Sequence, residues 1–196
     1  MLNKINRMHW RNIRGFIRAK DGISAVEFAL IAPVMMLIYF ACIELSLMMV
    51  LDRKVTTSSA TLGDLTARTS EISNDDLDDI FQATRMIFQP NDITAARMRI
   101  TSLVDDDGTA RVAWSDSCNT SSYTVGDAVT IPNNLLPSGG SVIFAEIEYD
   151  YDSALGYFFT TSKTLEDGFF LRPRRVDFIT RKADEPAYTC AQFAAP

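Results

Sequence analysis

Asp21-Gly22-Ile23-Ser24-Ala25-Val26-Glu27-Phe28 joins a basic leader to a long apolar run, and its reading decides the fold. From Phe28 to Leu51 the chain runs 24 residues with Glu44 as its one charge. A helix of that length rises about 36 Å, enough for a tilted crossing of a hydrocarbon layer about 30 Å thick. A secretory signal peptide has a shorter apolar core of about 7–15 residues, and a buried helix of a soluble protein seldom stays apolar on every face for so long. The stretch therefore predicts a transmembrane helix.

The flanks predict its orientation. Lys4, Arg7, Arg11, Arg14, Arg18 and Lys20 precede the span against the single acid Asp21, whereas Arg53, Lys54 and Arg68 are the only cations soon after it. The positive-inside bias places the N-terminus in the cytoplasm and the remainder across the membrane. Leu2, Ile5, Ile13, Phe16 and Ile17 recur at roughly helical spacing, so the leader reads either as a basic amphipathic helix on the inner membrane surface or as a flexible basic tail. Beyond residue 22, 13 Lys and Arg face 24 Asp and Glu, a formal charge of −11. Such an acidic domain is a poor partner for nucleic acid, which requires a basic surface to displace counterions.

Gly22, Glu27 as the fifth residue after it, and then Phe28 with an apolar helix form a pattern that resembles the processing site of type IV pilin-like proteins. The wording Ser24-Ala25-Val26-Glu27-Phe28-Ala29-Leu30-Ile31-Ala32-Pro33-Val34 more particularly resembles the TadE-like minor pilins, or pseudopilins, of tight-adherence (Tad/Flp) pilus systems. Major Flp pilins have Tyr where this chain has Phe28 and are far shorter. The resemblance implies cleavage between Gly22 and Ile23 by a prepilin peptidase, an inner-membrane location, and partners among other Tad pilins and the assembly platform. It also implies a pilin-like α+β fold.

A carboxylate at bilayer depth costs on the order of 2.5–3.5 kcal/mol on insertion scales, so Glu27 calls for a use. Once the Ile23 amine is freed, its ammonium can approach Glu27 of a neighbouring subunit, an assembly contact that sets axial register. The alternative is that Glu27 reaches interfacial water alone. Glu44 is expected to reach the headgroups at the outer face, and Pro33 to kink the span.

The expected organisation is a basic leader over 1–22, a transmembrane and stalk helix over 23–69, and a periplasmic α+β domain over 70–196. Within that domain Ser73 or Asn74 caps a second helix whose buried face is Leu77, Ile80, Phe81, Thr84 and Ile87/Phe88, with Asp75, Asp76, Asp78 and Asp79 in its first turns. These four aspartates lack the glycine and terminal glutamate of a calcium loop, so capping is preferred. Strands are expected over Arg97–Val104, Thr109–Trp114, Val142–Tyr151 and about Arg174–Lys182, the first two joined by an acidic turn through Asp105-Asp106-Asp107-Gly108, with a long surface loop over about Ser115–Ser138. They make an antiparallel sheet packed on the helices.

Catalysis has little to work with. The single histidine, His9, lies in the leader, and the GxSxG, HExxH and Walker patterns are absent. No metal or cofactor is expected, and the acidic pair Asp150 and Asp152 reads as solvated. Arg172, Arg174 and Arg175 read either as a solvated turn or as a contact for an acidic patch on another subunit. Cys42 lies within the span, which leaves Cys118 and Cys190 as the exported thiols. In an oxidising periplasm a disulfide between them is favoured over two separate buried thiols. A closed loop of about 70 residues would contribute on the order of 4 kcal/mol in the chain-entropy model. Two functions remain open: a processed minor pilin, and an uncleaved single-pass anchor whose periplasmic domain docks onto secretion or pilus components.

Overall fold

The computed structural model describes residues 22–132, 134–152 and 163–190. All of the leader before Gly22 lies outside the described residues, and with it the expected amphipathic leader helix. The chain has a long N-terminal helix, a second helix and an antiparallel sheet, an α+β fold.

Helix α1, Ile23–Ala67, runs 45 residues with Pro33 inside it. Two compact units divide between Leu45 and Ser46, within this helix. In the first unit the helix shows large apolar side chains on all sides, with Val26, Phe28, Leu30, Met35 and Tyr39 all more than half exposed. Glu44 is the exception there: its side chain is buried rather than spread toward a surface.

From Ser46 onward α1 changes character. Leu51, Val55, Ser58, Ser59, Leu62, Thr66 and Ala67 are buried at i, i+3 and i+4 spacing, a stripe of one face. Much of that stripe is small or hydroxylic, which is no burden where the hydroxyl has a partner: Ser59 donates to the Thr56 carbonyl at 2.9 Å and Thr66 to that of Leu62 at 2.9 Å. Gly63 lets the helix approach the sheet closely, since a Cβ there would stand 2.3 Å from Leu171 Cδ1 and 3.4 Å from the Ala145 Cβ. The helix ends where the Arg174 N–H takes the Ala67 carbonyl at 2.9 Å.

Strand β1, Glu71–Ile72, leads into helix α2, Asn74–Met86. Ser73 caps α2 with a capping box: its hydroxyl accepts from the Asp76 N–H while the Asp76 carboxylate accepts the Ser73 N–H at 2.9 Å. Leu77, Ile80, Phe81 and Thr84 are buried as their spacing predicts. A single 3-10 turn, Ile93–Ala95, then opens the sheet.

The main sheet is antiparallel in the order β3-β2-β4-β5, with β2 at Ala96–Asp106, β3 at Thr109–Cys118, β4 at Ser141–Tyr151 and β5 at Lys163–Leu171. Asp107 and Gly108 form the two-residue β2–β3 turn, both with positive φ, 50° and 85°, as the strand twist requires of so short a loop. One face carries Met98, Ile100, Ile143, Ala145, Ile147, Tyr149 and Leu165 against Leu51, Val55 and Leu62 of α1 and Leu77, Phe81 and Phe88 nearby, the main core. Leu103, Ala110 and Val112 form a second, smaller cluster covered by Tyr123, Val129, Ile131 and Leu136.

Three strand expectations need correction. Strand β5 was not anticipated, because Glu166-Asp167-Gly168 interrupts any clean alternation. The strand expected over 174–182 is reduced to β6, Thr180–Arg181, which pairs parallel with β1 and stands outside the main sheet; Pro173 and the turn-rich backbone after it break the run. The loop expected from Ser115 begins after Cys118, since Ser115 pairs with Thr101 and Cys118 with Met98 across the β2–β3 ladder.

Candidate functional site

At the N-terminal junction Gly22 stands immediately before α1. A Cβ added at Gly22 would meet nothing within 4 Å, and its φ is not in the left-handed region. The fold thus gives no local reason for glycine at this position, in contrast to Gly63. Ile23 opens the helix, and Glu27 four residues later lies on the same face about 6 Å along the axis. Ile23, Glu27 and Phe28 are all exposed.

In the domain, a C-terminal strap holds the helices to the sheet. Trp114 Nε1 donates to the Ile179 carbonyl at 2.7 Å. Arg181 reaches three ways, to Asp116 at 3.0 Å, the Ile72 carbonyl at 2.9 Å and Asn74 Oδ1 at 2.6 Å. Burial pushes the Asp116 carboxyl above its usual range, and the Arg181 charge acts against that rise. Glu185 accepts from the Asn74 N–H at 2.6 Å, and the Tyr188 hydroxyl donates to Asp78 at 2.7 Å while its ring lies 5.6 Å from that of Phe81. Burial first, and then the Asp78 carboxylate, push the Tyr188 phenol well above its usual value. Cys118 of β3 and Cys190 of the strap are disulfide-bonded, with Cα atoms 5.1 Å apart.

The aspartates at the start of α2 divide the work: Asp76 closes the capping box and Asp78 receives Tyr188. Hydrogen bonds from the Ser73 hydroxyl and then from its backbone hold the Asp76 carboxyl below the usual range. Among the described residues no group of three or more His, Cys, Asp and Glu is arranged to hold a metal ion.

The opposite face of the sheet is lined with charge. Arg97 pairs with Glu148 at 3.0 Å and with Asp150, and Arg99 pairs with Glu146 at 2.8 Å while its guanidinium lies 4.0 Å from the centre of the Tyr123 ring. Hydrogen bonds from Arg97 and then Thr164 hold the Asp150 carboxyl below its usual range. Arg174 pairs with Asp64, which also receives Arg68. Arg172 and Arg175 remain exposed beside it.

Sequence reasoning missed Lys54, whose ammonium closes the end of α2 by donating to the Phe88 and Gln89 carbonyls at 3.1 and 2.8 Å and to Asn91 Oδ1 at 2.8 Å. A lone lysine shortly after an apolar span reads as a topology signal; its partners, 34 to 37 residues away, appear only in the folded chain.

By length and composition α1 is the one helix among the described residues able to cross a membrane. Residues 22–61 match the family model described as TadE-like protein. The match begins at Gly22 and takes in the junction, the apolar run and much of the buried stripe of α1. This segment, 40 of the chain's 196 residues, is TadE-like. No curated protein and no solved structure matches the chain.

Proposed function

We propose that this chain is a minor pilin, or pseudopilin, of a Tad/Flp-type pilus, released from its leader by a prepilin peptidase and held in the bacterial inner membrane by α1 with its domain in the periplasm. The observation that carries the reading is Gly22: the TadE-like match starts on it, while among the described residues nothing stands within 4 Å of where its Cβ would be. A peptidase cleft shaped for glycine supplies the missing reason. Glu27 then serves as the assembly contact. Its carboxylate receives the new Ile23 ammonium of a neighbouring subunit in the low-dielectric helix bundle, which offsets the cost of carrying a charge at that depth. The Cys118–Cys190 bond forms in the oxidising periplasm and closes the strap over α2. The chain performs no catalysis of its own. Its partners are the peptidase, other Tad pilins, the assembly platform and the lipid bilayer.

Coexpression with the cognate prepilin peptidase tests the reading by mass spectrometry of the membrane-extracted protein. The expected product begins at Ile23, and Gly22→Val blocks its formation. A chain that keeps Met1 in a piliated strain would instead support an uncleaved anchor whose domain docks onto secretion or pilus components. Glu27→Ala separates recognition from assembly: a variant that is inserted and cleaved but fails to co-purify with pilus components assigns the carboxylate to the subunit contact, and one that is not cleaved assigns it to the peptidase.

A further inference from the structure

Strand β5 closes one edge of the main sheet, and among the described residues it pairs with β4 alone. An open edge is a template for another strand unless something blunts it. This one carries Phe169 in the open, 42 % exposed, at the middle of the run Glu166-Asp167-Gly168-Phe169-Phe170-Leu171-Arg172. The run is self-complementary about Phe169. Laid antiparallel on a second copy with Phe169 opposite Phe169, it sets Gly168 opposite Phe170, Asp167 opposite Leu171 and Glu166 opposite Arg172.

The charges at its two ends are open to a new ion pair, the Arg172 guanidinium donating, among the described residues, only to the Leu135 carbonyl at 3.4 Å. Glu166 stands directly across the ladder from Glu148, a like-charge pair, and Arg97 is already engaged by Glu148 and Asp150. Among the described residues neither Glu166 nor Arg172 has an ion-pair partner. Beside Glu166 an open cleft of about 360 Å³, lined by Phe144, Glu146, Glu148 and Gly168, has room for a guanidinium. Pro173, without an N–H, ends the pairing one residue beyond Arg172.

We propose that β5 is a self-association edge, on which two copies of this chain pair antiparallel about Phe169, with Arg172 of each copy received by Glu166 and the acidic cleft of the other. Backbone hydrogen bonds between the two edges hold the pair together, and the charge pairs set its register. The contact is isologous, so it closes at two copies and supplies a paired unit rather than a filament. It stands independently of the pilin reading, since it uses no residue of the N-terminal junction.

The full chain in membranes, with Cys42→Ser as background, tests it by cross-linking. Phe169→Cys is expected to yield a covalent dimer under mild oxidation, because the two thiols meet on the two-fold axis. Thr164→Cys is expected to yield none, since its two copies lie ten positions apart, about 33 Å. Glu166→Arg or Arg172→Glu alone is expected to reduce the Phe169→Cys dimer several-fold, and the two together to restore it. Both residues are exposed, so the exchange tests the contact without disturbing the core. Equal cross-linking at 164 and 169, no dimer at 169, capture of a different protein there, or a double exchange that fails to restore the dimer would each overturn the proposal.

Discussion

One helix obeys two opposite placement rules. Between Ile23 and Leu45, α1 exposes Phe28, Leu30, Met35 and Tyr39 in all directions; between Ser46 and Ala67 it buries Leu51, Val55 and Leu62 on one side and turns polar side chains outward. The hydrogen-bond ladder is the same in both, so the difference is one of surroundings. An all-round apolar helix is stable where lipid replaces water, whereas a single apolar stripe needs a second protein surface to bury it. The two glycines of the segment repeat the lesson: Gly63 is required by the neighbours packed on it, and Gly22 by none among the described residues.

The largest effect expected from this contrast comes from its aromatic residues. Phe81→Ala should destabilise the domain by about 3–5 kcal/mol, since the ring is fully buried in the main core, while Phe28→Ala in the first half should leave domain unfolding unchanged. Denaturant unfolding of the full chain in detergent, followed at Trp114, measures both. A comparable loss for Phe28→Ala would break the division into two surroundings.

Removing the Cys118–Cys190 bond with a double Ser variant should cost about 2–5 kcal/mol and free the strap, read as earlier proteolysis after Lys182 than elsewhere in the domain. If the melting temperature does not change, the strap is held by Arg181, Glu185 and Tyr188 without the bond.

Gly63→Ala pits two effects against each other. Helix propensity favours alanine by about 1 kcal/mol, and overpacking against Leu171 opposes it by about 1–3 kcal/mol. The clash is with Leu171 Cδ1 alone, Ala145 standing at ordinary contact distance, and turning that side chain out of the helix–sheet contact leaves an expected net loss on the order of 1 kcal/mol in the same unfolding measurement. Gly22→Ala should leave domain stability untouched, and a gain for Gly63→Ala would show that the helix does not press on the sheet as closely as its stripe implies.

The smallest effect concerns the α2 cap. Ser73→Ala should cost about 1 kcal/mol at neutral pH by opening the capping box. It should also change the acid limb of stability. Because the Asp76 carboxyl is held below its ordinary 3.8 in the folded chain, its contribution is present above that value and is lost as pH falls through the lower folded value. The variant lacks the hydroxyl that causes most of the lowering, so its stability should fall less steeply below about pH 4. An identical acid limb in both proteins would assign the sensitivity to another carboxylate, with Asp150, held low by Arg97, as the first to test.

Much of the organisation was legible in the residues. Length and composition alone mark the apolar helix, because in lipid the requirement falls on each side chain singly and no partner need be known. The cap at Ser73 or Asn74, the buried face of α2 and a hairpin turn within Asp105–Gly108 were legible for a similar reason, each depending on residues within one or two turns of chain; the fold chose Ser73 and narrowed the turn to Asp107-Gly108.

What only the tertiary structure decided lies at long separations. Strand β5 is a strand because β4 offers it a ladder from Ile143 to Tyr151, a pairing stronger than the weak local preference of Glu166-Asp167-Gly168. The apolar alternation after Arg174 lost its place in the sheet to that competitor and became a strap, where Ile179 is buried beside Trp114 and Arg181 beside Asp116. Lys54 found the end of α2, and Asp64 received Arg174 from 110 residues further on, across contacts that no local spacing encodes. Burial of the helical stripe and pairing along the sheet edge are properties of surfaces brought together by folding, whereas the apolar helix, a candidate membrane span, is already specified residue by residue.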